Sequence, residues 1–128
     1  MSEIKQIVRI VTADIPGGKQ LHHGLTQISG IGFSFSSAVC STLNLEKTRK
    51  IGTLNNEEIK KIEDTIKNPS KYGIPAYLYN RRRDRDLGID KHISTSELRL
   101  AKEFDIKRLK TIKSYRGIRH ALGLPLRG

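Results

Sequence analysis

The sequence predicts a mainly α-helical chain: a helical body preceded by a short extended segment, then a long helix and a basic carboxyl-terminal arm. Three observations carry that expectation. The stretches Leu54 to Ile59 and Ser94 to Glu97 hold the residue types that open helices. Two glycines around one aliphatic residue, Gly30-Ile31-Gly32, sit between two helical patterns. Residues 107–128, KRLKTIKSYRGIRHALGLPLRG, contain seven basic residues and no acid. The boundary between body and arm is expected near residue 95, giving a body over 1–95 with a loop insert at about 71–92, and an arm over 96–128.

The length, 128 residues, is that of one domain. Twenty-four Lys and Arg against thirteen Asp and Glu leave a formal charge of +11. That charge is uneven: +1 over residues 1–30, +2 over 31–73, +2 over 74–95 and +6 over 96–128. Like charge at this density repels itself unless a polyanion neutralises it, so the arm is the expected binding surface. Its cations alternate with Leu109, Ile112, Ile118, Leu122 and Leu124, which predicts an ordered, packed surface and points to nucleic acid. No segment approaches the ~20 apolar residues of a membrane span, and no secretory signal follows Met1. A cytoplasmic protein with no membrane partner is expected. Cys40 has no second cysteine to pair with and no zinc-ligand cluster around it, so it reads as a small core residue.

In chain order, the β-branched run Ile7 to Val11 predicts a strand or extended arm. Asp14-Ile15-Pro16-Gly17-Gly18 reads as a turn. A helix is expected over about 19–28, with Leu21, Leu25 and Ile28 on its inner face. At Gly30-Ile31-Gly32, Ile31 is expected to enter the core while the two glycine amides face outward. The next helix, near 35–43, takes Ser34 as its expected N-cap. Its free amides beside the glycine turn would form a phosphate seat without any charged side chain, the geometry of helix-hairpin-helix modules. A tight connection with no ligand is the plain alternative.

The clearest local grammar is Asn55 with Glu58, a capping box, inside a Leu54–Ile59 hydrophobic staple. That helix runs to about Lys67 and stops at Asn68-Pro69, with Ile59, Ile62 and Ile66 as its buried stripe. The following insert holds Tyr77, Tyr79 and the run Arg81, Arg82, Arg83, Asp84, Arg85. Its arginines are expected on phosphates, with at least one tyrosine packing the loop; pairing to Asp84, Asp86 and Asp90 is the alternative. A second capping box at Ser94 and Glu97 opens a helix to about Lys113, with Leu98, Ala101, Leu109 and Ile112 on one side and Asp105 interrupting them. Ser114 caps a last short helix to Leu122, which Gly123 and Pro125 end. On it Arg116 and Arg119 share a face with His120, away from Ile118 and Leu122.

In that order, these residues resemble the universal small-subunit ribosomal protein thirteen family, in its archaeal and eukaryotic branch. Val8-Arg9-Ile10, Asp14-Ile15-Pro16, Ile28-Ser29-Gly30-Ile31-Gly32, Ser114-Tyr115-Arg116-Gly117-Ile118-Arg119-His120 and Leu122-Gly123-Leu124-Pro125 with Arg127-Gly128 carry the resemblance. It implies a helix-two-turns-helix body in the head of the small subunit, bound to small-subunit ribosomal RNA. It further implies an intersubunit bridge to large-subunit protein five, contact with small-subunit protein nineteen, and a place near the peptidyl-site transfer RNA. In the family a further basic tail reaches that transfer RNA, whereas the present sequence stops at Gly128. The expected RNA-facing residues are Gly30, Ile31, Gly32, Arg81, Arg82, Arg83, Arg85, Lys110, Lys113, Tyr115, Arg116, Arg119, His120 and Arg127.

Two other function classes bear on a basic chain of this length. An enzyme is not expected: there is no nucleophile signature, and the carboxylates fall in caps, mixed helix faces or the Arg-rich loop. His22 and His23 would lie about 100° apart on a helix, a poor arrangement for a shared metal. No metal or other cofactor is therefore expected. A stand-alone helix-hairpin-helix DNA-binding protein remains the alternative that charge alone permits.

Overall fold

A computed structural model describes residues 4–128. Residues up to Thr95 and residues Ser96–Gly128 form two compact units. The first begins with an antiparallel hairpin, β1 (Ile7–Ile10) and β2 (Ala13–Pro16), in the register Ile7 opposite Pro16 and Ile10 opposite Ala13. Alternation along the strands sends Val8, Ile10 and Ile15 into the core. Asp14 to Pro16 is thus strand, not turn, and the reversal falls at Val11-Thr12, both at positive φ (52° and 81°). No glycine or asparagine marks this two-residue turn. It is held from outside, because the Val11 amide donates to the Glu63 carboxylate at 3.0 Å. The chain does turn again at Gly17-Gly18, where a Cβ on Gly17 would overlap the Lys5 carbonyl.

Helix α1 (Leu21–Leu25) is shorter than its periodicity suggested. From Thr26 to Ile28 the amides bond three residues back, a tighter turn that still buries Leu21, Leu25 and Ile28 together. Gly24 lies flat against the Ile51 side chain, where a Cβ has no room. After the glycine turn, α2 (Phe33–Thr42) starts two residues before the expected position. Gly32, not Ser34, occupies the cap, and its carbonyl takes the Ser36 amide at 2.9 Å. Ser36 is buried with its hydroxyl donating to the His22 carbonyl at 2.8 Å, which locks α2 to α1. Burial pushes the Cys40 thiol pKa up, so it behaves as a small apolar residue.

Helix α3 (Asn56–Lys67) keeps its Asn55–Glu58 capping box, with Glu58 accepting the Asn55 amide at 2.9 Å. Glu58 also receives both terminal nitrogens of Arg49, at 2.9 and 3.1 Å. The Asn55 amide and this guanidinium hold its carboxyl below the usual range. Leu54, Ile62 and Ile66 are buried, and Ile59 packs against them. The insert carries two single 3₁₀ turns, Pro69–Tyr72 and Ala76–Leu78, then a loop closed by the paired backbones of Arg81 and Lys91.

Helix α4 (Thr95–Thr111) begins on the last residue of the first unit and opens differently from expectation. Thr95 sits at φ 54°, and its amide donates to the Ser29 carbonyl, so the Ser94–Glu97 box does not set the start. Helix α5 (Tyr115–Leu122) follows the expected grammar. Ser114 Oγ accepts from the Gly117 amide at 3.1 Å and donates to the Leu109 carbonyl at 3.1 Å. Gly123 ends the helix at φ 70°. Gly117 is the one fully buried residue among 96–128, pressed against the Leu109 carbonyl. The apolar residues expected to pack here stay largely open: Ile112, Ile118, Leu122 and Leu124 are all exposed. Order in the arm comes from caps and one close backbone contact.

Candidate nucleic-acid interface

On the body, Gly30, Ile31 and Gly32 stand together at the start of α2. Ile31 is buried, as the plug reading requires, and Gly30 takes φ 96°, a conformation other residues resist. No side chain caps α2 and its first turn holds no acid. The amides of Phe33, Ser34 and Phe35 therefore have no helical carbonyl behind them, at the positive end of the helix dipole.

His92 fixes this turn from behind. Its ring stacks on Phe35 with centroids 3.8 Å apart and planes 4° from parallel. Its Nδ1 accepts the Asn80 amide at 3.2 Å, which puts the ring proton on Nε2, and Nε2 donates to the Gly30 carbonyl at 2.8 Å. Burial lowers the His92 pKa, outweighing the opposing effect of the Gly30 bond, so the ring is held neutral. The Asn80 side chain closes the same loop, donating to the Ile93 carbonyl at 2.6 Å and accepting its amide at 3.0 Å. One histidine thus ties the insert to the glycine turn. Nothing in the spacing of a lone histidine announces that role.

The arginine run divides. Arg81 bonds Asp84 at 3.1 Å, and Lys91 reaches the other Asp84 oxygen at 3.3 Å. Burial of Asp84 works against its charge, but Arg81 and Lys91 outweigh it and hold the carboxyl below the usual range. Arg81 is thereby built into the loop. Arg82, Arg83 and Arg85 are exposed. Arg83 sits at φ 50° with its amide on Asp90 Oδ1 at 2.7 Å, so the backbone is fixed while the guanidinium stays outside. Arg82, Arg83, Tyr77, Asn80, Ala76 and Asp90 line an open cavity of about 640 Å3. The two tyrosines separate: Tyr79 is buried with its hydroxyl on the Ile74 carbonyl at 2.8 Å, while Tyr77 is exposed.

On the arm, Lys110, Lys113, Tyr115, Arg116 and Arg127 are exposed, and Arg119 and His120 are half-buried. Arg119 is pre-oriented. Its Nε donates to the Pro125 carbonyl at 3.1 Å and its guanidinium lies 5.6 Å from the Tyr115 ring centroid. The remaining guanidinium N–H groups suit a phosphate fork. Gly117, which sequence spacing marks only as part of a motif, is what lets α5 lie against the end of α4.

Across this chemistry the sequence matches the family described as Ribosomal protein S13/S18 over residues 9–128. It is 48% identical over 124 residues to a protein named small ribosomal subunit protein uS13 from Nanoarchaeum equitans, covering 97% of this chain and 81% of the relative. The like-named protein of Methanocaldococcus jannaschii is 44% identical over 127 residues, covering 99% and 85%. That of Methanopyrus kandleri is 46% identical over 128 residues, covering 98% and 85%. No helix among the described residues is long and apolar enough to cross a membrane. With the match spanning both the glycine turn and the basic arm, the chain belongs to the ribosomal protein S13/S18 family.

Proposed function

We propose that this protein is a structural constituent of the small ribosomal subunit that binds small-subunit ribosomal RNA in the subunit head through two basic surfaces. One is the glycine turn at the start of α2 together with the exposed Arg82, Arg83 and Arg85. The other is the arm, which carries Lys110, Lys113, Arg116, Arg119 and Arg127 with no carboxylate among residues 107–128. The observation that carries the reading is Arg119, whose guanidinium is held by Pro125 and Tyr115 one helical turn from the exposed Arg116. A guanidinium ordered without a carboxylate partner is suited to phosphate oxygens.

The same placement puts small-subunit protein nineteen beside the arm, large-subunit protein five across the subunit interface, and the peptidyl-site transfer RNA nearby. The exposed Ile118, Leu122 and Leu124 supply an apolar face for such neighbours. Sedimentation of tagged protein through a sucrose gradient tests the whole reading. Co-migration with small subunits and with assembled ribosomes is expected. Tagged protein that stays at the top of the gradient, or sediments with DNA, overturns it.

A further inference from the structure

Three rings meet at the front of the body. Phe33, first residue of α2, has its ring centroid 5.3 Å from His22 and 5.5 Å from His23, and the two histidines are 5.4 Å apart. The cluster is anchored. His22 Nε2 lies 2.9 Å from the Ser37 hydroxyl, and its carbonyl takes the buried Ser36 hydroxyl. Phe33 nonetheless remains 55% exposed. The ring is thus held in place by its two neighbours while more than half of its surface stays open.

We propose that Phe33, buttressed by His22 and His23, is a stacking platform for one unpaired RNA base; the inference rests on the RNA-binding reading above and deepens it. Stacking on an aromatic ring is how single-stranded bases are held, and it asks only for a flat, fixed, open ring. A nucleotide is favoured over a protein side chain because the ring and the uncapped α2 amides belong to the same three residues. A nucleotide offers a planar face joined to an anion within one residue's reach. With Gly32 at the cap and no acid in the first turn, the anion meets the positive end of the dipole unopposed. An apolar protein anchor would leave those amides unused. The remaining contacts of the chain then give affinity through charge, and Phe33 selects RNA whose contacting nucleotide is unstacked.

The chain contains no tryptophan, so Phe33→Trp places a single indole reporter at the platform. The probe is a small-subunit ribosomal RNA transcript titrated into the full chain. Stacking predicts strong quenching of the indole emission on binding, with affinity retained. Phe33→Ala and Phe33→Leu should each weaken binding by about 5- to 100-fold, while the dependence of log affinity on log salt stays the same. The leucine variant separates planarity from apolar bulk, and an unchanged thermal transition shows that each variant folds. An unquenched indole in a bound complex, or a leucine variant that binds as tightly as wild type, overturns the platform and leaves the phosphate-binding account standing. An indole unaffected by RNA but blue-shifted by a ribosomal protein assigns the ring to a protein contact and also overturns it. Wild-type chain that does not bind the transcript at all overturns the RNA reading itself, and this inference with it.

Discussion

Replacing Gly117 by alanine adds one methyl group to the arm at the point where it has no room. The new Cβ would overlap the Leu109 carbonyl and crowd the Lys110 amide, both backbone atoms that have no rotamer to retreat into. Helix α5 must therefore move away from the end of α4. That movement strains or breaks two hydrogen bonds made by Ser114, to the Gly117 amide and to the Leu109 carbonyl. Overpacking against rigid neighbours costs about 1–3 kcal/mol, and each of the two hydrogen bonds contributes about 1 kcal/mol, so the total is roughly 3–5 kcal/mol. No apolar side chain is fully buried among residues 96–128, so little else holds the unit together. Amide hydrogen exchange over residues 114–124 is the assay. Protection there should fall by two orders of magnitude or more at roughly 1.4 kcal/mol per tenfold, and RNA affinity should fall with it. Unchanged protection and unchanged affinity in Gly117→Ala would refute the claim that this contact orders the arm.

Three further outcomes follow from particular residues. His92 is held neutral, with a folded pKa below its ordinary 6.5; as pH falls through that value the unfolded chain takes up a proton the folded ring refuses. Stability should therefore drop between about pH 7 and 5, and His92→Gln should flatten that slope in thermal melts; an equally steep slope in the variant removes His92 as the cause. Val11 and Thr12 hold left-handed conformations that cost ~1–2 kcal/mol each in L-residues. Val11→Asn with Thr12→Gly, the residues this turn type prefers, should raise the unfolding free energy by about 1 kcal/mol after glycine's entropy cost, read in denaturant melts; a lowered value would mean the half-buried Val11 side chain outweighs the strain. Arg116→Ala should weaken RNA binding with no change in stability, since its side chain is exposed. Arg119→Ala should lose both, through its bonds to Pro125 and Tyr115; equal stability loss in the two variants would argue against that division.

Elements governed by their own neighbours were legible in the sequence. The Asn55–Glu58 box, the Ser114 cap, the Gly123 stop and the inward row Leu21, Leu25, Ile28 each depend on residues within one or two turns. Elements governed from a distance were not. The hairpin reversal at Val11-Thr12 is held by Glu63, 52 residues away. The start of α4 is set by Thr95 reaching Ser29, which takes the backbone out of the geometry that Ser94 would cap. The site divides in the same way. The cationic residues were visible as charge and Asp84 was visible as a partner, but which cations it takes was decided by the loop closure that pairs Arg81 with Lys91 and leaves Arg82, Arg83 and Arg85 exposed. Phe33 opens α2 because Gly32 takes the cap that Ser34 would favour, which no local preference announces. His92 and Gly117 act through contacts with backbone that periodicity does not record.

An ordered cationic surface reading ribosomal RNA through its phosphates is tested most directly by the salt dependence of binding. Filter-binding titrations of the full chain on small-subunit ribosomal RNA, repeated across a range of potassium chloride concentrations, give the slope of log affinity against log salt. If ~6–8 cations engage phosphates, that slope lies at about −4 to −7. A slope near zero would contradict the account.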